Sequence, residues 1–479
     1  MFFLLPVLLP DVSTVSAVST VSTAQLSQPS APPSPTPAPL TLEAVFDAVN
    51  SAYPKLIGAD AERRMAAAKR REKQGAFDIT PTLGTEFQRY NSASLRGKAY
   101  TYSANTAAVE TTLRSGVKLI AGREFSTGTV KSPLSSTGGA GAFFAGAKIP
   151  VLRGSGVNEK TVGERQAILG IPLAARGYET VRLGALLGAA VAYWDWVASG
   201  QKRTVAVDLL RLASVRADQI RRENKLGAQP GIAVVETDQE VQRRRGALIK
   251  AERDLQKAAF KLAAYLWKND GAPDALPSPE VLPPTMPTPV PLAQSAVQDA
   301  RNRAAVARPE IAALALQQEI ARWDLRLAEN DSKPDVSLVV QAGQDLGQNG
   351  IGQTLKAGVS FSVPLNRWEA TGRRDGTRAK LAKLDQENAL LRRQVALEVE
   401  DAASAVNAAE ERCRTAVEEV TLSLRLEEGE RSRFRAGDST LFLVNQRERG
   451  TAESRARLID VTAEYHQAAA AFRAASVQI

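Results

Sequence analysis

Residues 245–265, RGALIKAERDLQKAAFKLAAY, place Leu248, Ala251, Leu255, Ala258, Leu262 and Tyr265 at alternating spacings of three and four. On a helix that spacing gathers the six side chains into one stripe, the seam of a coiled coil. Residues 455–475, RARLIDVTAEYHQAAAAFRAA, repeat the seam with Leu458, Val461, Tyr465, Ala468, Phe472 and Ala475, each 210 positions later. Arg245, Leu248 and Ile249 recur as Arg455, Leu458 and Ile459, and Gly227 and Val234 recur as Gly437 and Val444 at the same offset. One seam can arise by chance. An offset shared over nearly forty residues marks an internal duplication.

The rest of the chain divides around that repeat. Met1–Pro10 (MFFLLPVLLP) is apolar, and Ser22-Thr23-Ala24 offers small residues before Gln25, so residues 1–24 read as a signal peptide, although basic residues before the apolar run are missing. Residues 25–40 form a proline-rich linker, and a second proline-rich linker, 271–292, separates a first repeat (41–270) from a second (293–479). Each repeat is expected to run helix, strand pair, long helix, turn, helix. In the first, helices are predicted over about Leu42–Gln74 and Val157–Lys225, with strands between Pro81 and Leu152. A turn at Gly227–Gly231 then leads to a helix ending near Lys268. In the second, they are predicted over Ala293–Asn330 and Trp368–Phe434, with strands between Pro334 and Leu365. A turn at Ala436–Thr440 precedes a last helix to about Ser476. Pro172 is expected to kink the first long helix or delay its start.

The strands show themselves by a period of two. Leu355, Ala357, Val359, Phe361 and Val363 alternate with Lys356, Gly358, Ser360 and Ser362, and Val336, Leu338, Val340 and Ala342 repeat the pattern. Such segments suit the wall of a membrane barrel, polar inside and apolar outside, and equally an ordinary half-exposed sheet. If they do span a membrane, four strands cannot close a barrel alone, and an open edge in lipid leaves backbone groups unpaired. Three copies would supply twelve strands. Each long helix, at nearly seventy residues, would reach about 100 Å, far beyond the needs of a small globular core.

Composition excludes several other classes. The chain is 44% hydrophobic but 5% aromatic, which favours long helices over a mixed core. Its +9 charge is spread along its length, the pattern of solvated helix faces and not of a nucleic-acid patch. A single cysteine, Cys413, sits in an apolar row with Val406, Ala409, Ala416 and Val420, which is a packing position. The lone His466 has no partner at metal-ligand spacing and reads as a solvated helix residue. Ser136–Gly146 (STGGAGAFFAG) is glycine-rich but lacks the GK[ST] of a phosphate loop. Acidic neighbours such as Glu418-Glu419 and Glu427-Glu428 diverge on a helix and form no general acid/base pair. No cofactor, metal or catalytic constellation is expected, and the chain is not read as an enzyme.

Ala192-Tyr193-Trp194-Asp195, Ile149–Gly154 (IPVLRG), Phe361–Asn366 (FSVPLN) and Phe434–Ser439 (FRAGDS) followed by Leu441–Gln446 resemble, in this order, the outer-membrane efflux protein family typified by TolC. The resemblance covers about residues 41–476. It implies a mainly helical homotrimer whose long coiled-coil helices form a periplasmic α-barrel, with four strands per protomer in a twelve-stranded outer-membrane β-barrel. It also implies a passive export duct of a tripartite efflux or type I secretion system, docked on a periplasmic adaptor and an inner-membrane pump. On this reading the hairpin tips Leu226, Gly227, Ala228 and Ala436, Gly437, Asp438, Ser439 meet the adaptor, and Asp238, Glu240, Asp438 and Glu448 are candidate constriction charges. A lipid-anchored subtype is not expected, because no cysteine lies near the N-terminus. The long first strand region suggests an extended loop around Ser126–Gly141. An exported coiled-coil scaffold without a pore is the rival reading; it leaves the strands and the duplication idle. A periplasmic adaptor would need one central hairpin between β halves, whereas strands lie between helices twice.

Overall fold

The computed structural model describes residues 38–91, 99–128, 137–346 and 352–479. The expected signal peptide and most of the first proline-rich linker lie outside the described residues, as does the middle of the expected Ser126–Gly141 loop.

Thr41 opens the first helix, its hydroxyl accepting from the Ala44 amide, and α1 runs Leu42–Ala52. Pro54 then forces Tyr53 into an extended conformation and itself occupies the first position of α2, Pro54–Gln74. The second half does the same: α5 (Gln294–Ala307) stops at extended Arg308, and Pro309 begins α6 (Pro309–Asp331). The single helices expected over Leu42–Gln74 and Ala293–Asn330 are therefore each two helices. The reason is local. A residue before proline avoids the helical region, and proline offers no amide to the preceding turn.

The long helices appear as expected. α3 spans Glu159–Lys225 and α7 spans Trp368–Arg435, returning through α4 (Gly231–Ala263) and α8 (Leu441–Ala475). Asn158 and Thr161 form a reciprocal cap that starts α3 well before Pro172, and the helix continues through that proline, so the start is not delayed. α3 packs on α2, α4, α6 and α8, and α7 on α5, α6 and α8.

The strand count departs from expectation. Among the described residues, four strands lie between α2 and α3: β1 (Thr80–Asn91), β2 (Ala99–Thr112), β3 (Lys118–Gly128) and β4 (Ala142–Pro150). Between α6 and α7 lie β5 (Asp335–Asp345) and β6 (Gln353–Ser362). All six form one antiparallel sheet in sequence order, with β4 and β5 joining the two halves. Six strands among the described residues replace the expected four. The additional β2–β3 hairpin turns at Leu113–Val117, and Arg114 of that turn grips Glu164 of α3 (Nε to Oε2 2.8 Å, Nη2 to Oε1 2.7 Å). Hydrogen bonds from Arg114 outweigh the smaller effect of burial and hold the Glu164 carboxyl below its usual pKa.

Two apolar cores hold the helices together. One joins α1, the middle of α3 and the end of α4 around Trp196, Val197 and Leu262; the other joins α5, α7 and α8 around Val399, Val406 and Phe472. Cys413 belongs to the second core, as its packing row implied. The stretch 271–292 is no free linker. Val281, Leu282 and Met286 pack on the first core, the Leu40 amide donates to Val281, and Leu282 occupies the space a Cβ on Gly200 would need, 2.4 Å away. Its few apolar residues have a surface to bury, which its proline content concealed.

Candidate channel wall and hairpin tips

The register of the sheet decides what its two faces are. Residues directly opposite each other in antiparallel strands project to the same side. Val109, Ala121, Ala145, Ala342 and Leu355 form one continuous row, and Leu119, Ala147, Val340 and Ala357 the next. Ile149, Leu338 and Val359 follow, then Val336 and Phe361. The apolar rows thus cross strand boundaries from β2 to β6, and β1 adds Leu83 and Phe87. The side chains at the two edges of the sheet are bare: Leu83 is 88% exposed, Leu355 76% and Phe361 68%. Two arginines share this side. Arg89 lies near the end of β1. Arg123 is covered by Phe125 and Phe143, with its guanidinium carbon 4.3 and 4.8 Å from their ring centroids, and donates to the Ala140 carbonyl at 3.1 Å.

The opposite side carries Glu86, Glu110, Lys118, Glu124, Lys148, Asp335, Asp345 and Lys356, with glycines at 84, 122, 146, 343 and 358. Strands of nine to fourteen residues suit a tilted crossing of a hydrocarbon layer, which needs about 9–11. A soluble protein does not leave an apolar face of this extent bare. Among the described residues no helix is long and apolar enough to cross a membrane.

At the far end of α3 and α7, some 67 residues from the sheet, or about 100 Å, the chain reverses twice in the same way. Gly227 (φ 77°) donates to Asn224 and Ala228 to Glu223; Gly437 (φ 81°) donates to Phe434 and Asp438 to Arg433. Each is a helix-ending Schellman turn with glycine in the left-handed region, at equivalent positions of the two halves. Around the tips Leu226, Ile232 and Phe442 stand exposed. Ala228 and Ala436 lie within the turns. Asp438 pairs with Arg433 (3.2 Å), and Ser439 donates to Glu430 (2.5 Å).

The candidate constriction charges lie in different settings. Asp238 is on the surface of α4, paired with Arg221 of α3. Glu240 is buried and bonded to Arg244 at 3.0 Å. Glu448 has no exposed side-chain surface. It receives Arg216 of α3 (Nη1 to Oε2 3.0 Å), Arg244 of α4 (Nη2 to Oε2 2.8 Å) and Arg431 of α7 (Nη2 to Oε1 2.9 Å). Burial alone would raise its pKa; the hydrogen bonds and charges of the arginines, Arg216 foremost, overcome this and bring it down to about 2. Glu448 and Glu240 therefore sit buried inside the helix bundle, paired with its arginines. Sequence reading marks the two carboxylates from their position near the tips and misses the arginines, because Arg216 and Arg244 precede Glu448 by more than two hundred residues.

Nearer the middle, His466 stacks on Trp194 (centroids 4.2 Å, 18°) and its Nε2 lies 3.0 Å from the Pro287 carbonyl oxygen, so it is a packing residue and not a solvated one. Asp195 of the AYWD segment accepts from Lys261 (3.3 Å) and Gln467 (2.8 Å), tying α3 to α4 and α8. Among the described residues no cluster of metal-ligating side chains occurs.

The family model described as outer membrane efflux protein matches residues 300–476. No curated protein matches the chain. Solved structures do. A membrane protein from Pseudomonas aeruginosa superposes with a TM-score of 0.69 at 13% identity, covering 91% of this chain and 92% of that one. The outer-membrane channel OprN gives 0.66 at 14%, over 91% and 89%. The outer membrane protein VceC from Vibrio cholerae gives 0.65 at 14%, over 91% and 95%. At these identities the structural likeness speaks for the fold, and the family match speaks for the second half. Residues 300–476 are thus an outer membrane efflux protein domain, and the chain as a whole has the fold of the TolC-like outer-membrane channels.

Proposed function

We propose that this chain is the protomer of a homotrimeric channel in the bacterial outer membrane, a passive duct from periplasm to exterior that serves a tripartite efflux or type I secretion system. The observation that carries this reading is the sheet. It has one largely apolar face, one charged face and two open edges, so it is stable in lipid only as part of a closed wall. The helices continue that wall on one side of the membrane, and their paired tips, with apolar Leu226 and Phe442 exposed, present a surface for the helices of a periplasmic adaptor coupled to an inner-membrane pump. The 210-residue offset, the two proline-broken helix pairs and the two matching Schellman turns support an origin by duplication.

Reconstitution of the full chain in lipid tests the proposal. Native mass measurement should give three copies, and planar bilayers should show stable conductance without any energy source. A protein that stays monomeric and leaves the bilayer sealed would rule the channel out in favour of a poreless coiled-coil scaffold.

A further inference from the structure

β1 and β6 are the two edges of the sheet, and each pairs on one side only. They run antiparallel to each other in the order of the wall, so the β6 edge of one copy can receive the β1 edge of the next. Their lengths match, twelve residues against ten. What remains is the register, and the side chains choose it. On the charged face β1 carries one ionic group, Glu86, and β6 carries one, Lys356. On the apolar face the large apolar side chains are Leu83 and Phe87 against Leu355, Val359 and Phe361. Setting Glu86 opposite Lys356 puts Phe87 opposite Leu355, Leu83 opposite Val359 and Gly84 opposite Gly358. A slip of two residues either way separates the charges and sets Phe87 against Gln353 or Ala357; a slip of one turns an apolar face into the lumen.

We propose that β6 of each copy pairs with β1 of its neighbour in this register, with a Glu86–Lys356 ion pair on the lumenal side of every subunit seam. The occupant of each open edge is a second copy of this chain, chosen by charge complementarity and by continuity of the apolar rows. The inference rests on the trimeric channel reading. Three copies then close eighteen strands, not twelve, and because diameter grows roughly in proportion to strand number the barrel is about one and a half times wider.

The test uses the full chain with Cys413→Ala, so that introduced cysteines are the only thiols. Directly opposed residues hold their Cβ atoms about 5 Å apart, near the reach of a disulfide, whereas diagonal neighbours lie about 7–8 Å apart. Glu86→Cys with Lys356→Cys should oxidise in the membrane to covalent dimers and trimers, shifting the monomer band upward. Glu86→Cys with Thr354→Cys or with Gly358→Cys should do so more slowly. Ala145→Cys with Ala342→Cys, partners in β4 and β5, reports a folded sheet through a link within one chain. If native mass gives a trimer and the 145–342 link forms but 86–356 does not, the seam is wrong while the channel stands. A link between 86 and 356 within one chain also overturns it. If the 145–342 link forms in a protein that remains monomeric in lipid, the channel reading fails first. Charge reversal is an independent measure: Glu86→Lys or Lys356→Glu alone should lower the temperature at which the trimer dissociates, and the two together should restore it. Failure of the double variant to recover counts against the pair.

Discussion

Glu448 shows how a single residue can be noticed in a sequence while its partners stay hidden. An acidic side chain near a helix tip suggests a lumenal charge; the structure closes three arginines from three other helices over it. The substitution Glu448→Gln would leave those guanidinium groups buried without their shared countercharge, a loss of about 3–5 kcal/mol on the usual scale of broken buried pairs. Thermal unfolding of Glu448→Gln in detergent measures it. The pH dependence follows from the direction of the shift. The folded pKa, about 2, lies below the ordinary 4.5, so the stabilisation is present above pH 4.5 and is lost as pH falls toward 2. The wild type should therefore lose more stability across that window than Glu448→Gln does; equal losses would show that Glu448 is not the acid-labile group. Cys413 is the simpler case. It is 4% exposed, and burial pushes its thiol pKa upward. A thiol reagent such as DTNB should find it inert in the native protein and titrate one thiol after denaturation. Here the row of apolar neighbours in the sequence already describes the environment.

At the scale of elements, legibility follows the strength of the periodic signal. β5 and β6 are readable because branched and aromatic residues fill one parity and polar residues much of the other. β2 is not, because its apolar-face positions hold Thr101, Ser103, Asn105 and Ala107, so small polar residues erase the contrast and only the pairing with β1 and β3 makes it a strand. The breaks at Tyr53 and Arg308 are written in Pro54 and Pro309 but are masked by the helical stripe running past them. The tip glycines are legible because each ends a long helical pattern, and their energetics separate them from other glycines. Gly227→Ala or Gly437→Ala forces a Cβ into the left-handed region and should cost about 1–2 kcal/mol each. Gly246 in α4 and Gly450 in α8 have ordinary helical backbone and open space around the missing Cβ. Gly246→Ala or Gly450→Ala should instead stabilise by about 0.5–1 kcal/mol. Differential scanning calorimetry of the four variants distinguishes the classes, and a stabilising Gly437→Ala would mean the second tip does not end in the Schellman turn.

For the whole molecule the question is which side of the sheet meets lipid, since every larger inference depends on it. The protomer alone exposes both faces, yet the faces differ in what they can tolerate. A lysine at the hydrocarbon midplane costs about 2–4 kcal/mol on a lipid-facing position and little in a wet lumen. β6 offers the cleanest comparison because its parity breaks only at Gln353: Leu355, Ala357, Val359 and Phe361 lie on one side, Thr354, Lys356, Gly358 and Ser360 on the other. Substituting lysine at each position in turn should produce a period of two. Leu355→Lys, Val359→Lys and Phe361→Lys should reduce the folded trimer recovered from outer membranes, while Thr354→Lys and Ser360→Lys leave it near the wild-type level. Gly358→Lys is informative as well, since it places bulk next to the subunit seam without entering lipid; it should weaken the trimer's resistance to heat more than its membrane insertion. A flat profile along the strand would mean that neither face meets hydrocarbon. The bare apolar rows would then need a protein partner to cover them, and the channel wall, the eighteen strands and the seam would all have to be given up together.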